Sequence, residues 1–334
     1  MAHVKIEASA PTRIDLAGGT LDIWPLYLFH DGAQTLNAAI SLRARCSLTT
    51  RTDRRLVIES EDTGTRVEVA HWSELRDNHD LKLLGRLLHY FQGEGIDLRT
   101  RCESPVGAGI AGSSALNIAV CGALAKWAGV PQSDDGLMQI AMNVEAQAID
   151  VPTGVQDYRP ALYGGISAVE LRVDGVRRVA LPVEAAELEQ RLVLAYTNAS
   201  RNSGINNWEV TKRHIDGDRA VQEAFGRIRD IAAAMRHALE RRDWPEVGRQ
   251  IASEWTNRKT LAPGVTTPEI DAMLSAAERA GAIGGKVCGA GGGGCLFCLG
   301  DPADVPAIRR ALADSGARVL DFHIERQGLT LTGG

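Results

Sequence analysis

The spacing of apolar and polar residues predicts strands at the start of the chain and mainly helices later. Strand patterns occur in residues 4–8, 45–51, 56–59, 98–104, 166–171, 192–197 and 295–299. Helical spacing of apolar residues occurs in residues 81–92, 113–127, 134–149, 217–242, 244–259 and 268–281. A hairpin turn is predicted at 173–177. We expect four tryptophans that stand at helical spacing to belong to the core: Trp127, Trp208, Trp244 and Trp255.

Composition narrows the class of protein. The 334 residues are 44% apolar and 24% charged, with a net charge of −5, as in a globular protein of one or two domains. The negative charge argues against nucleic-acid binding. No apolar run is long enough to span a membrane, and no signal peptide is visible. The six cysteines are too few for a disulfide scaffold, which predicts a cytoplasmic protein.

Residues 105–120, PVGAGIAGSSALNIAV, contain a candidate phosphate-binding loop. Residues 107–112 fit the dinucleotide pattern G-x-G-x-x-G, but the acidic residue expected about 20 positions later is missing. A Walker loop is excluded because no G-K-[S/T] follows. Glycines that allow close approach, followed by Ser113 and Ser114 at a helix start, still suit phosphate. Taken alone, the segment fits a capped helix after a tight turn equally well.

Two further segments, with this loop, resemble the GHMP kinase superfamily. The first is PTRIDLAGGTLD at residues 11–22, and the other is GKVCGAGGGG at residues 285–294. Within the superfamily, LNAAISL, GVQDYRPALYGG and YTNASR most resemble the branch that holds D-glycero-D-manno-heptose 7-phosphate kinase and L-fucokinase. The three motifs extend over nearly the whole chain.

The resemblance implies an α+β fold of two lobes around an active-site cleft. The N-terminal lobe, predicted over residues 1–185, would contain a left-handed βαβ unit and bind ATP. The C-terminal lobe, predicted over residues 186–334, would be an α/β sandwich. The expected partner is a small sugar or sugar phosphate, with no nucleic acid and no membrane, and the protein is expected to be a monomer or a homodimer.

The resemblance also implies roles for individual residues. Asp157 matches the catalytic aspartate, a base for the attacking hydroxyl, and Arg13 lies where a basic residue is found near the transferred phosphate. Ser114 and Glu145 match the ligands of Mg²⁺. From the sequence alone, Arg13 could equally form a surface salt bridge, and Glu145 could be a solvated helix residue.

Two larger sets complete the predicted site. The nucleotide loop comprises Pro105, Gly107, Ala108, Gly109, Ile110, Ala111, Gly112, Ser113 and Ser114. The predicted substrate contacts are Gly18, Gly19, Thr20, Asp22, Arg201, Gly291 and Gly292. If the substrate already carries a phosphate, Arg201, Arg258 and Lys259 are candidates to receive it, although each could equally be a solvated charge.

The sequence therefore predicts an ATP- and Mg²⁺-dependent kinase of a sugar or sugar phosphate, with a heptose 7-phosphate as the preferred acceptor. Kinases of unphosphorylated fucose or galactose and a mevalonate-type kinase remain alternatives. Other classes left open are a GHMP-fold protein that binds without catalysis, a superfamily decarboxylase and a dinucleotide-dependent oxidoreductase.

Overall fold

The computed structural model describes residues 4–76, 80–200 and 203–334, which form two β-sheets with helices around them. The strands are β1 Lys5–Ala17, β2 Gln34–Thr50, β3 Leu56–Ser60, β4 Thr65–Val69, β5 Ile96–Cys102, β6 Ile166–Arg172, β7 Gly175–Ala180, β8 Leu192–Tyr196, β9 Ala282–Val287, β10 Cys295–Gly300, β11 Arg318–Leu320 and β12 Thr330–Gly333. The helices are α1 Lys82–Tyr90, α2 Gly112–Trp127, α3 Asp134–Ile149, α4 Tyr158–Tyr163, α5 Ala185–Glu189, α6 Ser203–Ile215, α7 Arg219–Glu240, α8 Trp244–Arg258, α9 Pro268–Arg279 and α10 Val305–Asp314.

The first sheet has eight strands and is built around a long antiparallel pair, β1 and β2. The main path runs β12-β1-β2-β5-β3-β4, and β6 and β7 extend from β2. Among the strands that the structure describes, only β3 and β5 pair in parallel, and α1 lies on the chain between them. Helix α2 packs on β1 and β2, and its buried face includes Ile118 and Leu124.

The second sheet, in the order β11-β8-β10-β9, is antiparallel and carries helices on both faces. Side chains of a strand alternate between faces, and β10 is buried on both. Cys298 belongs to a cluster with Met273 of α9, whereas Phe297 belongs to one with Met235 of α7. This arrangement matches the predicted sandwich, and the α+β class is confirmed.

Short polar side chains cap the amino ends of several helices. Ser133 Oγ accepts a hydrogen bond from Gly136 N at the start of α3, and Asp218 Oδ1 accepts one from Ala220 N at the start of α7. Thr267 does the same for α9, which has a proline at its first position. The helices therefore begin within a few residues of the predicted positions.

The four tryptophans at helical spacing differ in how deeply they are buried. Trp208 is 49% exposed, so it is not a core residue; Trp244 and Trp255 are buried, and Trp127 is partly buried. The division at 185/186 stays a prediction. Strand β11 belongs to the second sheet, whereas β12 returns to the first sheet and pairs with β1. The last strands of the chain are therefore divided between the two sheets. No helix among the described residues is long and apolar enough to cross a membrane.

Candidate active site

A cavity of about 400 Å³ brings the three sequence motifs together. Its wall includes residues of the first motif, the glycine-rich loop, α3, the turn before α4, and the third motif. The functional candidates that line it are Arg13, Thr20, Asp22, Pro105, Gly107, Ala108, Gly109, Ala111, Gly112, Ser113, Ser114, Glu145, Asp157 and Arg258.

The glycine-rich loop has a backbone that ordinary residues adopt rarely. Gly107 and Gly109 have φ of 69° and 72°, and Ala111 has φ of 60° directly before α2. The left-handed region costs an L-residue about 1–2 kcal/mol, so Ala111 is strained where glycine would not be. The loop is held from both sides, because Arg13 N donates to Ile110 O and Cys295 N donates to Ala108 O.

The amino end of α2 opens into the cavity. No side chain caps it at Ala111, and Gly112, Ser113 and Ser114 all line the wall. The first N–H groups of a helix lack partners within the helix and attract anions. Beside Gly112 there is little room, since a Cβ there would lie 2.6 Å from Ser104 Oγ. Loop and helix end together make a cradle that fits the phosphates of a nucleotide.

Glu145 is a buried carboxylate at the inner end of this cradle. Its Oε2 accepts hydrogen bonds from Ser114 Oγ at 3.0 Å and from the Tyr158 hydroxyl at 2.7 Å. Burial raises the pKa of Glu145, although the hydrogen bonds from Tyr158 and Ser113 oppose this. The residue is 5% exposed, so it is not a solvated helix position. One carboxylate beside one hydroxyl fits Mg²⁺, which keeps several waters and uses few protein ligands.

Asp157 and Arg13 form an ion pair at the cavity wall. Arg13 donates to Asp157 Oδ1 from Nε at 3.0 Å and from Nη2 at 2.6 Å, and Nη1 donates to Gly109 O at 2.9 Å. Burial alone would lower the pKa of Arg13, but the charges of Asp157 and Asp15 raise it. Arg13 is 2% exposed, which excludes the alternative of a surface salt bridge.

Asp22 lies on the same wall and is also buried. Its Oδ2 accepts a hydrogen bond from Gln156 N at 2.9 Å. Burial, and next the nearby charge of Asp157, raise the pKa of Asp22 to about 6. Gly154 leaves the space that this carboxylate needs, because a Cβ there would lie 2.0 Å from Asp22 Oδ2.

A buried chain of charges lies behind these residues. Lys286 Nζ donates to Asp15 O, Asp15 Oδ2 and Glu254 Oε1, each at 3.1 Å. Asp15 Oδ1 accepts from Gly289 N and lies 3.7 Å from Arg13 Nη1. Burial opposes ionisation of Asp15, but Lys286 and Arg13 hold its pKa below the usual value. The chain of charges therefore joins the first and third motifs directly.

Arg258 is part of this buried chain rather than a free phosphate ligand. Nη2 donates to Gly19 O and Glu254 Oε1, both at 2.8 Å, and Nη1 donates to Thr20 Oγ1 at 3.1 Å. Lys259 does not line the cavity and lies 3.7 Å from Asp271. Arg258 lines the cavity while both of its Nη atoms contact the protein, and a phosphate contact by Arg258 or Lys259 stays a prediction. Arg201 lies outside the described residues.

Some predicted contacts support the wall without lining it. These are Gly18, Gly19, Ile110, Gly291 and Gly292. A Cβ on Gly18 would meet Gln34 O at 2.0 Å, and one on Gly291 would meet Val265 O at 2.4 Å. Gly289 and Ala290 line the wall, in place of the predicted Gly291 and Gly292. The third motif does pack on the nucleotide loop, since a Cβ on Gly294 would lie 2.6 Å from Ala108 O.

Several residues of the site were missed by sequence reasoning. Asp15 and Lys286 stand inside the first and third motifs and Gln156 stands inside GVQDYRPALYGG, but nothing in a single sequence distinguishes them from their neighbours. Tyr158 directly follows Asp157. Glu254 stands four residues before Arg258 in α8, and this helical spacing of opposite charges was the available signal.

A phosphate cradle, a buried carboxylate beside a hydroxyl, and an aspartate paired with arginine define the class of a phosphotransferase. Two family profiles match the chain: "GHMP kinases N terminal domain" over residues 79–165 and "GHMP kinases C terminal" over residues 235–318. The chain belongs to the GHMP kinase family. It is an ATP-dependent phosphotransferase with sugar kinases among its relatives.

Three individual relatives illustrate the similarity. The D-glycero-alpha-D-manno-heptose 7-phosphate kinase of Campylobacter jejuni is 30% identical over 97% of this chain and 98% of its own. The structure of a D-glycero-D-manno-heptose 1-phosphate kinase from Bacteroides thetaiotaomicron has a TM-score of 0.79 at 25% identity, covering 98% of both chains. Lactococcus lactis galactokinase, at 18% identity, has a TM-score of 0.79 over 98% of this chain and 95% of its own, and shows the shared fold.

Proposed function

We propose that the protein transfers the γ-phosphate of ATP to a hydroxyl of a heptose phosphate, with Asp157 as the base. The observation that carries this proposal is the Arg13–Asp157 pair on one wall of the cavity that also contains the amino end of α2. A base must lie within reach of the acceptor hydroxyl, while the phosphates must lie at the helix end. One cavity meets both requirements.

In the proposed reaction, Asp157 takes the proton of the attacking hydroxyl as the new oxygen–phosphorus bond forms and ADP leaves. Both described hydrogen bonds from Arg13 reach Oδ1 of Asp157, so Oδ2 is the atom that we assign to the proton. Arg13 keeps the carboxylate oriented, and its charge offsets negative charge on the transferred phosphoryl group. The α2 amino end contributes N–H groups to the remaining phosphate oxygens.

Ser114 and Glu145 would hold Mg²⁺ in this proposal. When bound, the ion would neutralise charge on the phosphate oxygens. Tyr158 keeps Glu145 in one orientation through its hydroxyl, and Asn117 Nδ2 donates to Ala141 O and also lies 3.5 Å from Glu145 Oε2.

The choice of a heptose phosphate as acceptor is supported by the relatives. The C. jejuni protein, similar over nearly the full length of both chains, is named for a heptose 7-phosphate, and the B. thetaiotaomicron structure for a heptose 1-phosphate. A phosphate on the sugar needs a cation that is not already used by the protein. Arg201 is our candidate, from its place in the YTNASR segment.

A neutral sugar is the second candidate acceptor, and one observation favours it. Among the described residues, the cations on the cavity wall are Arg13, Lys82 and Arg258, and each forms an ion pair with a carboxylate of the protein. None of the three is therefore free to neutralise a second phosphate group.

The two candidates are separated by measuring ADP release with D-glycero-D-manno-heptose 7-phosphate, the corresponding 1-phosphate, L-fucose, D-galactose and mevalonate. Arg201→Ala should raise KM for the heptose phosphate roughly 10- to 150-fold, as expected for one lost charge-assisted contact, and change KM for ATP little. Arg177→Ala, on the exposed β6–β7 hairpin, is the control. Equal efficiency with a neutral hexose, together with no effect of Arg201→Ala, would refute the heptose phosphate and favour the neutral sugar.

A further inference from the structure

Gln156 is a buried amide on the cavity wall with an unused acceptor. It stands directly before Asp157 and is 5% exposed. Its main-chain N donates to Asp22 Oδ2, but its side-chain Oε1 is buried and has no hydrogen-bond partner in residues 4–76, 80–200 and 203–334. A buried acceptor without a partner costs about 1–3 kcal/mol, so its position calls for an explanation.

The neighbours of Gln156 do not supply the missing donor. Asp22 accepts the hydrogen bond of Gln156 N and Asp157 is the next residue along the chain, but neither is a partner of Gln156 Oε1. The turn of the first motif packs on the amide, since a Cβ on Gly19 would be 2.9 Å from Gln156 Nε2. Because Gln156 also lines the cavity, a bound ligand is the remaining source of a donor.

We propose that Gln156 determines specificity by accepting a hydrogen bond from a hydroxyl of the sugar, other than the hydroxyl that is phosphorylated. This rests on the proposed function, in which Asp157 deprotonates the attacking hydroxyl. Asp22, Gln156 and Asp157 all line the cavity, and each side chain carries an oxygen acceptor. Several acceptors in one cavity suit a polyhydroxylated acceptor, because each sugar hydroxyl can donate one hydrogen bond.

A substrate that lacks the matching hydroxyl would leave the amide oxygen unpaired in the complex. Sites that hydrogen-bond a substrate hydroxyl reject analogues without it more strongly than apolar sites reject an extra group. The proposal therefore predicts discrimination against deoxy sugars at one position. It also predicts that the cost of the unpaired oxygen is present only before the sugar binds.

The test compares wild type with Gln156→Met, which keeps the length of the side chain and removes its acceptor. Asn37→Leu is the matched control, because Asn37 is also a buried amide with an unpartnered oxygen, Oδ1, but does not line the cavity. Kinetics are measured with ATP and D-glycero-D-manno-heptose 7-phosphate, D-galactose or L-fucose. Thermal unfolding is measured with and without each sugar.

In Gln156→Met we expect kcat/KM for the preferred sugar to fall about 10-fold or more, because roughly one hydrogen bond is lost in a buried site. The KM for ATP should stay within about twofold of wild type. The unfolding temperature without sugar should not fall, and the rise caused by the sugar should shrink. In wild type, one deoxy analogue should lose activity by a similar factor, and Gln156→Met should no longer distinguish it from the parent sugar.

Unchanged kcat/KM for the sugar in Gln156→Met would overturn the inference and leave the proposed function standing. A fall in stability without sugar, with the KM for sugar unchanged, would also overturn it and make Gln156 a structural residue. If wild type released no ADP with any sugar, the proposed function would fail and the inference with it. Should the methionine variant not fold, Gln156→Leu and the deoxy series on wild type provide the same test.

Discussion

Asp22 combines a predicted role in substrate binding with a measurable cost in stability. Burial and the charge of Asp157 raise its pKa from 3.8 to about 6. Between these two pH values the folded protein keeps a proton that the unfolded chain has released. Since the folded state then binds more protons, its stability must fall as the pH rises from about 4 to about 6. Asp22→Asn removes this dependence.

The size of the effect follows from the shift. A rise of about two pKa units corresponds to roughly 3 kcal/mol, because each unit is worth 1.36 kcal/mol. Near pH 4 the protonated Asp22 and an asparagine should differ little, and an asparagine oxygen can still accept from Gln156 N. By pH 7 the asparagine variant should therefore be more stable than wild type by an amount approaching 3 kcal/mol, a large part of the 5–15 kcal/mol of a typical domain.

The assay is urea unfolding of wild type and Asp22→Asn at half-unit steps from pH 4 to pH 8. The measured quantity is the difference in free energy of unfolding between the two proteins, in which the titration of groups that do not interact with Asp22 cancels. Asp174→Asn, on an exposed turn, is the control for the substitution itself. At pH 8, Asp22→Asn should also raise KM for the sugar, since a neutral amide accepts more weakly than a carboxylate.

A difference that stays constant with pH, or one that turns against the asparagine variant as the pH rises, would refute the electrostatic reasoning. A gain in stability without loss of sugar affinity would refute only the binding role of Asp22. The double variant with Asp157→Asn separates the two causes, because the part of the shift due to the charge of Asp157 should disappear while the part due to burial remains.

Three other predictions follow from the site. Asp157→Asn should lower kcat about 10²- to 10⁴-fold with ATP binding by calorimetry nearly unchanged, and turnover within threefold of wild type would remove Asp157 from the mechanism. Ser114→Ala and Glu145→Gln should both raise the Mg²⁺ concentration for half-maximal activity, and an unchanged requirement in both would show that the metal site is misplaced. Lys286→Met should destabilise the protein by about 3–5 kcal/mol in urea, because it removes the buried cation that contacts both Asp15 and Glu254; a loss under 1 kcal/mol would contradict this.

Apolar periodicity was sufficient to predict most helices, because their buried stripes and capping residues are local. It underestimated β1 and β2, which extend well beyond the predicted 4–8 and 45–51. The reason lies in the first motif, where Thr12, Arg13 and Asp15 are buried polar residues. The alternation rule assigns polar residues to the solvent, so it ends a predicted strand where polar residues are buried.

The site was predictable only where the motifs carry it. The family resemblance pointed to Arg13, Asp22, Ser114, Glu145 and Asp157, and all five line one cavity. Their roles stay predictions. The contacts behind them could not be read from the sequence, because they join positions that are far apart along the chain. Trp208 was misjudged for a related reason, since helical spacing does not show which side of α6 is covered.

The position of β12 has a consequence for folding during synthesis. Residues 330–333 complete one edge of the first sheet by pairing with β1, at the other end of the chain, and Gly334 N donates to Lys5 O. During synthesis on the ribosome, the outer edge of β1 stays uncovered until these residues emerge. An uncovered strand edge is a template for aggregation. Deleting residues 330–334 should therefore lower the yield of dispersed protein at expression temperature, although the deletion removes nothing from the cavity wall.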